Sequence, residues 1–547
     1  MQQTFTYPEF AYRPSPEQAS GKPQRHPVVV VGAGPVGLTA ALDLAARGLQ
    51  VVVLDDNNTV SVGSRAICFA KRPLEIWNRL GCASRMVEKG VNWKVGKVFF
   101  RDDPVFSFDL LPETGHALPA MINLQQYYLE QYLVEACEAH AGIDLRWKHK
   151  VVALEQKPDH VSLTVETPDG SFPTQADWVI ACDGANSTLR GMVGAAFSGQ
   201  VFQDRFLIAD VIMKAGFPPE RWFWFDPPFH RGQSVLLHKQ ADDVWRIDFQ
   251  LGPDADPVEE KKPENVMPRI RAMLGPEAAF ELEWVSIYQF ACRRIDRFRH
   301  GRVIFAGDAA HQVSPFGARG ANSGVQDTDN LAWKLALVIR GQAPEALLES
   351  YHEERALAAD DNILNSTRAT DFISPKNAAS LVYRNAVLDL ARSEPFARGL
   401  VNSGRLSTPT PYPDSPLNTP DESHFEGAMR PGTNCADAPL TREGKPAWLL
   451  DMLGDGFTVL CFGAPAASSA ATDGSAVDAL AVGTVRPALL CEGRDFRDNE
   501  GLLAARYDAK PGTCYLIRPD QYVAARWRSF DAGKVRAALA RALAMPG

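Results

Sequence analysis

The chain contains no apolar run near the ~18 residues of a membrane-spanning helix, no Cys-x-x-Cys pair and no Cys/His group at metal-ligand spacing. Basic residues are in deficit: 57 Lys and Arg against 66 Asp and Glu give a net charge of −9. That balance argues against nucleic acid or an anionic membrane as partner, and no metal site is expected. Internal repeats and long low-complexity tracts are missing as well. The nine cysteines are odd in number and scattered, as buried reduced thiols would be. Residues 1–26 hold Pro14, Pro16 and Pro23 with Arg13 and Arg25 but no apolar signal core. They read as a loose N-terminal extension of a cytoplasmic protein.

What is present is the material of several domains: 547 residues, 45% hydrophobic and 22% charged. RLSTPTPYPDSPLNTPDES (405–423) is rich in Pro, Ser and Thr and reads as an extended connector before a tail of about 120 residues. Upstream, VVVVG (28–32), VVVLD (51–55), WVIACDG (178–184) and VIFAGD (303–308) are continuous apolar runs, the pattern of parallel strands covered on both faces. Three carry Asp at or beside their ends, at the sheet edge where open α/β folds bind ligands. Between 201 and 290 the segments FLIADVIM, ERWFWFD, SVLLHK and VWRIDFQL alternate or are aromatic and β-branched, which predicts an inserted antiparallel sheet.

The first strand runs into Gly32, Ala33, Gly34, Pro35, Val36 and Gly37, followed by a helical pattern. Gly32 permits a tight turn, Gly34 lets backbone approach a pyrophosphate, and Gly37 lets helix pack on strand. The helix N-terminus favours the phosphates. Asp55 ends the second strand 23 residues after Gly32, where a carboxylate accepts ribose hydroxyls. This predicts a dinucleotide site, and alone it does not choose between FAD and NAD.

Two further segments choose. CDGANSTLR places Asp183 and Gly184 at a strand end before Ser187 and Arg190; a turn with a helix N-cap is the plainer alternative. GDAAHQVSPFGARGANSGVQD (307–327) places Gly307 and Asp308 at another, followed by small residues and a helix beginning near Ala321–Asn322. Asp308 suits a sugar-alcohol hydroxyl, the small residues admit a flat ring, and the helix N-terminus stabilises the anion of a reduced flavin by ~1 kcal/mol. FAD is therefore the expected cofactor.

In order and spacing, GAGPVG, CDGANSTLR and GRVIFAGDAAHQVSPFGARGANSGVQDTDNLAWKLA resemble the class A FAD-dependent aromatic hydroxylases, over about residues 27–390. The resemblance implies that Asp55, standing where the family usually has Glu, binds the adenosine ribose and Asp308 the ribityl chain. It implies that Arg65 and Ala66 lie near the pyrophosphate. Gln126, with Gln125 as the competing assignment, would reach the cofactor; Gly320, Ala321 and Asn322 would meet the ring, and Pro315 its reacting edge. Arg294 matches an arginine before the GD strand, structural or helping the cofactor; His311 is common in the family and is expected to make local hydrogen bonds. The implied reaction is hydroxylation of a phenolic compound by NAD(P)H and O2 through a C4a-hydroperoxyflavin. NADH or NADPH would visit transiently, because no second Gly-rich unit exists. A flavin oxidase or dehydrogenase on the same scaffold is the alternative. The tail, GTCYLIRPDQYVAARW then DAGKVRAALARAL, resembles the thioredoxin-like domain of the phenol hydroxylase branch, without CxxC. Members with this tail are commonly homodimers.

The fold class expected is therefore α/β: a Rossmann-type FAD-binding domain, an inserted antiparallel-sheet substrate domain and a thioredoxin-like domain. The boundaries run 1–26 extension, 27–92 FAD-binding, 93–119 substrate, 120–200 FAD-binding, 201–289 substrate, 290–385 FAD-binding, 386–428 helical segment and linker, and 429–547 thioredoxin-like. For the substrate, His238 is a candidate to accept or relay the phenol proton, its ordinary pKa being near ~6.5. Trp222 and Trp224 are candidate walls for the ring. Arg246 is a candidate carboxylate ligand, with an ion pair to Asp248 as the plainer reading. For each of these four a structural role competes.

Overall fold

The computed structural model describes residues 4–252, 254–401, 406–463 and 478–545. The first residue of the connector, Arg405, and two stretches of the tail lie outside the described residues.

The Val-rich runs form the centre of the first sheet because their side chains are buried on both faces; Val28, Val29 and Val30 are fully buried. Arg25–Val31 pairs in parallel with Val51–Asp55 on one side and Gly170–Ala181 on the other. Val303–Phe305 extends the sheet beyond Gly170–Ala181, also in parallel. Ile143–Trp147 adds a further parallel strand beside Val51–Asp55. This strand escaped the sequence reading, since IDLRW carries Asp144 and Arg146 and reads as a half-exposed segment. The helix Pro35–Ala46 packs against both Gln126–Glu138 and Gly320–Ile339, and all three share the sheet's core. All three motifs leave the same edge, because every strand that feeds them points the same way.

The second sheet has eight strands, ordered His311–Gln312, Glu281–Ile295, Phe197–Ile212, Val244–Leu251, Ser234–Lys239, Arg221–Phe225, Val95–Phe100 and Asp103–Asp109. Its pairings are antiparallel except for Arg221–Phe225 against Val95–Phe100. One face is packed with Trp224, Val235, Leu237, Trp245, Ile247 and Phe249, covered by Val266 and Ile270 of the helix Pro263–Leu274. The other face carries polar side chains and turns toward the first sheet's motifs.

The N-terminal segment is not loose over its described residues. Phe5 stacks on Tyr127 at 4.3 Å and Phe10 on Trp147 at 4.5 Å between ring centroids. The Tyr7 hydroxyl accepts the Gly63 amide at 2.9 Å, and buried Glu17 accepts Arg146 at 3.1 Å. The aromatic content of TFTYPEFAY, ignored beside its prolines, drives this docking. The connector is docked too: Tyr412 stacks on Tyr522 at 4.8 Å and its hydroxyl accepts Arg355 at 2.6 Å.

The tail forms a four-stranded sheet ordered Ala488–Cys491, Thr458–Cys461, Cys514–Ile517 and Val523–Trp527, with the helix Ala532–Ala542 packed on it. Trp333 and Leu347 of the N-terminal lobe enter this domain's core.

Candidate active site

A cavity of about 900 Å³ lies between the motif edge of the first sheet and the polar face of the second. Its construction begins with backbone. Gly32 has φ +105°, and a Cβ there would stand 2.4 Å from the Cys182 carbonyl oxygen. A Cβ on Gly37 would stand 1.9 Å from the Gly32 carbonyl oxygen. A Cβ on Gly34 would meet nothing within 4 Å, and Gly34, Pro35 and Val36 line the cavity. Two of the glycines therefore serve packing and the third leaves room for a ligand at the start of the Pro35–Ala46 helix.

Asp55, at the end of its strand, accepts the Ala33 amide at 2.6 Å and the Asn57 amide at 2.8 Å. Burial raises its carboxyl pKa while the two amides oppose the shift. It sits behind the Gly-rich turn and does not line the cavity. Asp183 does not line it either: its Oδ2 accepts Leu189 N at 3.1 Å, and with Ser187, which accepts Arg190 N at 3.0 Å, it caps the short helix Thr188–Met192. The N-cap alternative describes this side chain, while neighbouring Gly184 does reach the cavity. Arg190 donates to the Ala309 carbonyl at 3.2 Å and so ties the second motif to the third.

Gly307 has φ +61° and packs on Val36. Its amide donates to Asp327 Oδ2 at 2.9 Å, an oxygen shared with His311 Nε2 at 2.7 Å, while Arg355 Nε reaches Asp327 Oδ1 at 2.6 Å. His311 thus makes the local hydrogen bond expected of it, while its partners Asp327 and Arg355 were not named from the sequence; together they fix the loop that presents Asp308. Asp308 is exposed to the cavity it lines and makes no hydrogen bond to any described residue; the protein enclosing that cavity, then the charge of Asp327, raise its pKa against the opposing influence of His311. Pro315, Ala318, Gly320, Ala321 and Asn322 continue the wall, and the helix runs Gly320–Ile339. The Asn322 side chain is committed to protein: it accepts Ala70 N at 2.8 Å and donates to the Cys68 and Ala318 carbonyls at 2.8 and 2.6 Å.

Arg65 lines the cavity with φ +42°, an uncommon conformation for a non-glycine residue. Ala66 donates its amide to Gln126 Oε1 at 3.1 Å, and Gln126 Nε2 reaches Glu130 at 2.8 Å. Between the competing glutamines, Gln126 faces the cavity; Gln125 is buried and donates to the Ala241 carbonyl at 3.1 Å. Arg294 pairs with Asp360 at 2.6 Å outside the cavity, and its neighbour Arg293 lines it.

The second sheet corrects the substrate candidates. Trp222 and Trp224 do share a face, but it is the apolar one, against Phe99, Phe217 and Phe229. Alternation along Arg221–Phe225 turns Arg221 into the cavity and the tryptophans away from it. The aromatic walls are instead Trp93, Trp284, Tyr288 and Phe290. Arg246 lines the cavity but is engaged: it pairs with Asp210 at 3.2 Å rather than with Asp248, donates to the Arg65 carbonyl at 2.7 Å, and bonds the Ser64 hydroxyl. It anchors the Arg65 loop and is no free carboxylate ligand. His238 lines the cavity, edge-on to Trp93 at 6.3 Å. Burial, then the charges of Arg221 and Arg246, drive its pKa well below the usual histidine range. That shift makes it a weak acceptor for the phenol proton.

The residues present fit FAD. The Gly34 opening, the unpartnered Asp308 carboxylate, the Arg65 side chain and the N-terminal turn of Gly320–Ile339 lie along one continuous cavity. Such a site defines a flavoprotein that holds its cofactor against a substrate sheet. The FAD binding domain family matches residues 25–366, and the chain belongs to it; the aromatic-ring hydroxylase C-terminal family matches 428–546. The chain is thus a flavin-dependent monooxygenase with FAD as cofactor. It is 31% identical over 543 residues to 6-methylpretetramide 4-monooxygenase of Streptomyces rimosus, covering 93% of this chain and 92% of that one. It is 26% identical over 519 residues to 3-(3-hydroxy-phenyl)propionate/3-hydroxycinnamic acid hydroxylase of Mycolicibacterium smegmatis, covering 91% and 90%. The solved structure of the flavin-dependent monooxygenase PieE with FAD and substrate superposes with a TM-score of 0.80 at 24% identity, over 95% of this chain and 99% of that one, a likeness of fold.

Replacing Asp308 with alanine is expected to weaken FAD binding by roughly tenfold or more, the loss of one hydrogen bond to a charged group. Flavin fluorescence titration of the apoprotein reads this directly, and an unchanged Kd removes the role assigned to Asp308.

Proposed function

We propose that the chain hydroxylates a phenolic aromatic compound with NAD(P)H and O2. The observation that carries this reading is a single cavity that joins the flavin motifs to a substrate wall of aromatic rings and buried charged groups, Trp93, Trp284, Tyr288, Arg221 and Asp248. A relative named for 3-(3-hydroxy-phenyl)propionate supports a phenolic substrate. Bound FAD supplies two-electron activation of dioxygen and delivery of one oxygen atom to the ring. The protein's part is to hold the flavin, exclude water, orient the ring and take up the phenol proton. In this reading Asp55, Arg65, Ala66, Gln126, Asp308 and the Gly32–Gly37 turn hold the cofactor, Asp183 shapes the adjoining loop, and Pro315 lies near the reacting edge.

The nicotinamide substrate, NADH or NADPH, visits the same cavity, since the described residues carry no second Gly-rich unit. The domain boundaries drawn from the sequence and the thioredoxin-like reading of the tail belong to this proposal. So does a homodimer, supported by exposed Val382, Tyr383 and Phe396 on the helices Ala378–Ala391 and Pro395–Val401. No helix among the described residues is long and apolar enough to cross a membrane.

The test is turnover of a panel of phenols under labelled dioxygen. One labelled oxygen atom is expected in the ring-hydroxylated product, with NAD(P)H oxidation stimulated by the phenol. Oxidised product without label would replace this reading with an oxidase or dehydrogenase.

A further inference from the structure

On the cavity face of the second sheet, Asp248 stands apart from the other polar groups. Its cross-strand neighbours are Ile208 and Leu236, which offer it no hydrogen bond. Arg246, two residues away on the same face, is drawn to Asp210, Ser64 and the Arg65 carbonyl. Asp248 therefore makes no hydrogen bond to any described residue, and its Oδ1 is a buried acceptor without a partner. Arg221, on the same sheet face two strands away, has no ion-pair partner within 4.0 Å among the described residues, and its Nε is likewise buried and unpartnered. Two orphaned polar groups of opposite charge in one cavity are costly unless a ligand satisfies them. A carboxylate needs a donor; a guanidinium needs an anionic oxygen. A phenolic hydroxyl is the first before it loses its proton and the second afterwards.

We infer that Asp248 is the catalytic base that takes the substrate's phenolic proton, and that Arg221 holds the phenolate so formed. This rests on the phenol-hydroxylase reading. The step is balanced: the substrate O–H bond breaks, an O–H bond forms on the Asp248 carboxylate, and the negative charge passes to the substrate oxygen with no change in oxidation state. His238 lines the same cavity, and burial with the charges of Arg221 and Arg246 lowers its pKa, so it competes poorly for the proton.

The surrounding groups make such a carboxylate a proton acceptor near neutrality. Burial pushes its pKa up to about 7; Arg246 on its own strand and Arg221 two strands away oppose the shift, and Asp210 adds to it. His238, whose pKa burial drives well below the usual range, and Tyr288, whose pKa burial holds well above it, face the same space, as does Cys68, pushed up to about 11. The ionised base accumulates as pH rises through about 7, so kcat/KM should climb across that range.

The test compares wild-type holoenzyme with Asp248→Asn on ring-substituted phenols, from phenol itself to the far more acidic 4-nitrophenol, at mildly alkaline pH. The variant is expected to remain fully yellow and to lose the ascending limb of the pH profile. It should fall about a hundredfold or more in kcat/KM with phenol, but only a few-fold with 4-nitrophenol, which is largely ionised before it binds. Asp248→Glu, keeping a carboxylate, should retain the ascending limb, and serves where the Asn variant folds poorly. An equal loss across all the phenols, or an unchanged pH profile in Asp248→Asn, overturns the role of Asp248 while leaving the hydroxylase reading intact. A wild-type enzyme that transfers oxygen to no phenol overturns both.

Discussion

Arg518→Met is expected to destabilise the protein by about 3–5 kcal/mol, the cost of leaving a buried charge uncompensated. Arg518 is fully enclosed and grips Glu354 through two hydrogen bonds of 2.5 and 2.9 Å, with Asp520 at 2.9 Å from its Nε. Glu354 also receives Lys334 at 2.8 Å and Asn330 at 2.6 Å. Burial would raise the Glu354 carboxyl, but Arg518 and Lys334 prevail and hold it below the usual carboxylate range. A carboxyl shifted that way contributes stability that is full at neutral pH and lost as pH falls through the acid range. The network joins three parts of the chain: Arg518 and Asp520 from the tail, Glu354 from the helix Glu349–Ile373, and Asn330 and Lys334 from Gly320–Ile339. Arg72 extends it, bonding Asp329 at 2.9 Å and Gln521 at 2.8 Å. Because the helix that carries Lys334 also forms the cavity wall at Gly320–Asn322, Arg518→Met should weaken FAD retention as well. Urea unfolding followed by tryptophan and flavin fluorescence measures both effects. Replacing Arg518, Glu354, Lys334 and Asp520 together with apolar residues of similar size, which leaves no buried charge of the set unpaired, should recover much of the stability; failure to recover would show that the domains are held by something other than this network.

Gly37→Val is expected to abolish FAD binding. The extra carbon atoms would begin 1.9 Å from the Gly32 carbonyl oxygen and 3.3 Å from the Cys182 side chain. The obstructing atom is backbone, so the helix Pro35–Ala46 must retreat from the strand it follows. That movement opens the Gly32–Gly34 turn, and the overpacking itself costs about 1–3 kcal/mol. The contrast is Gly34→Ala, whose Cβ meets nothing within 4 Å in the protein: it should leave the fold's stability unchanged while lowering FAD affinity. A yellow, fully loaded Gly37→Val protein would mean that the turn tolerates displacement and that the close approach of helix and strand is not what shapes the site.

The difference between these glycines marks where sequence reasoning stops. Spacing alone places Gly32, Gly34 and Gly37 in a strand–turn–helix unit. Spacing also assigns Gly34 to the ligand and Gly37 to helix packing; what it cannot supply is the Cys182 carbonyl, which crowds Gly32 from just beyond a strand nearly 150 residues downstream. The three motifs were legible for a common reason: each is a contiguous stretch whose backbone does the work, and parallel strands deliver all of them to one edge. Asp308 could be named from the sequence because its position at a strand end is a local property.

The substrate wall was not legible. Its residues come from separate strands, and the direction of each side chain depends on which face of the sheet meets the first domain. Strand alternation correctly put Trp222 and Trp224 on one side, yet alternation has no sign: a shift of one residue exchanges the two faces. Only the packing of the helix Pro263–Leu274 against the apolar face settles that Arg221 turns inward. The clamp of Asp327, His311 and Arg355, the docking of Phe5 and Phe10, and the pairing of Arg246 with Asp210 are likewise contacts between distant segments. The amino-acid sequence by itself determined the cofactor and the sheet that carries it, because those reside in local backbone patterns, and the resemblance of its motifs to a known family implied the class of chemistry. The tertiary structure alone decided which charged groups in the cavity are already paired and which await a ligand, because pairing depends on partners that no local stretch of chain contains.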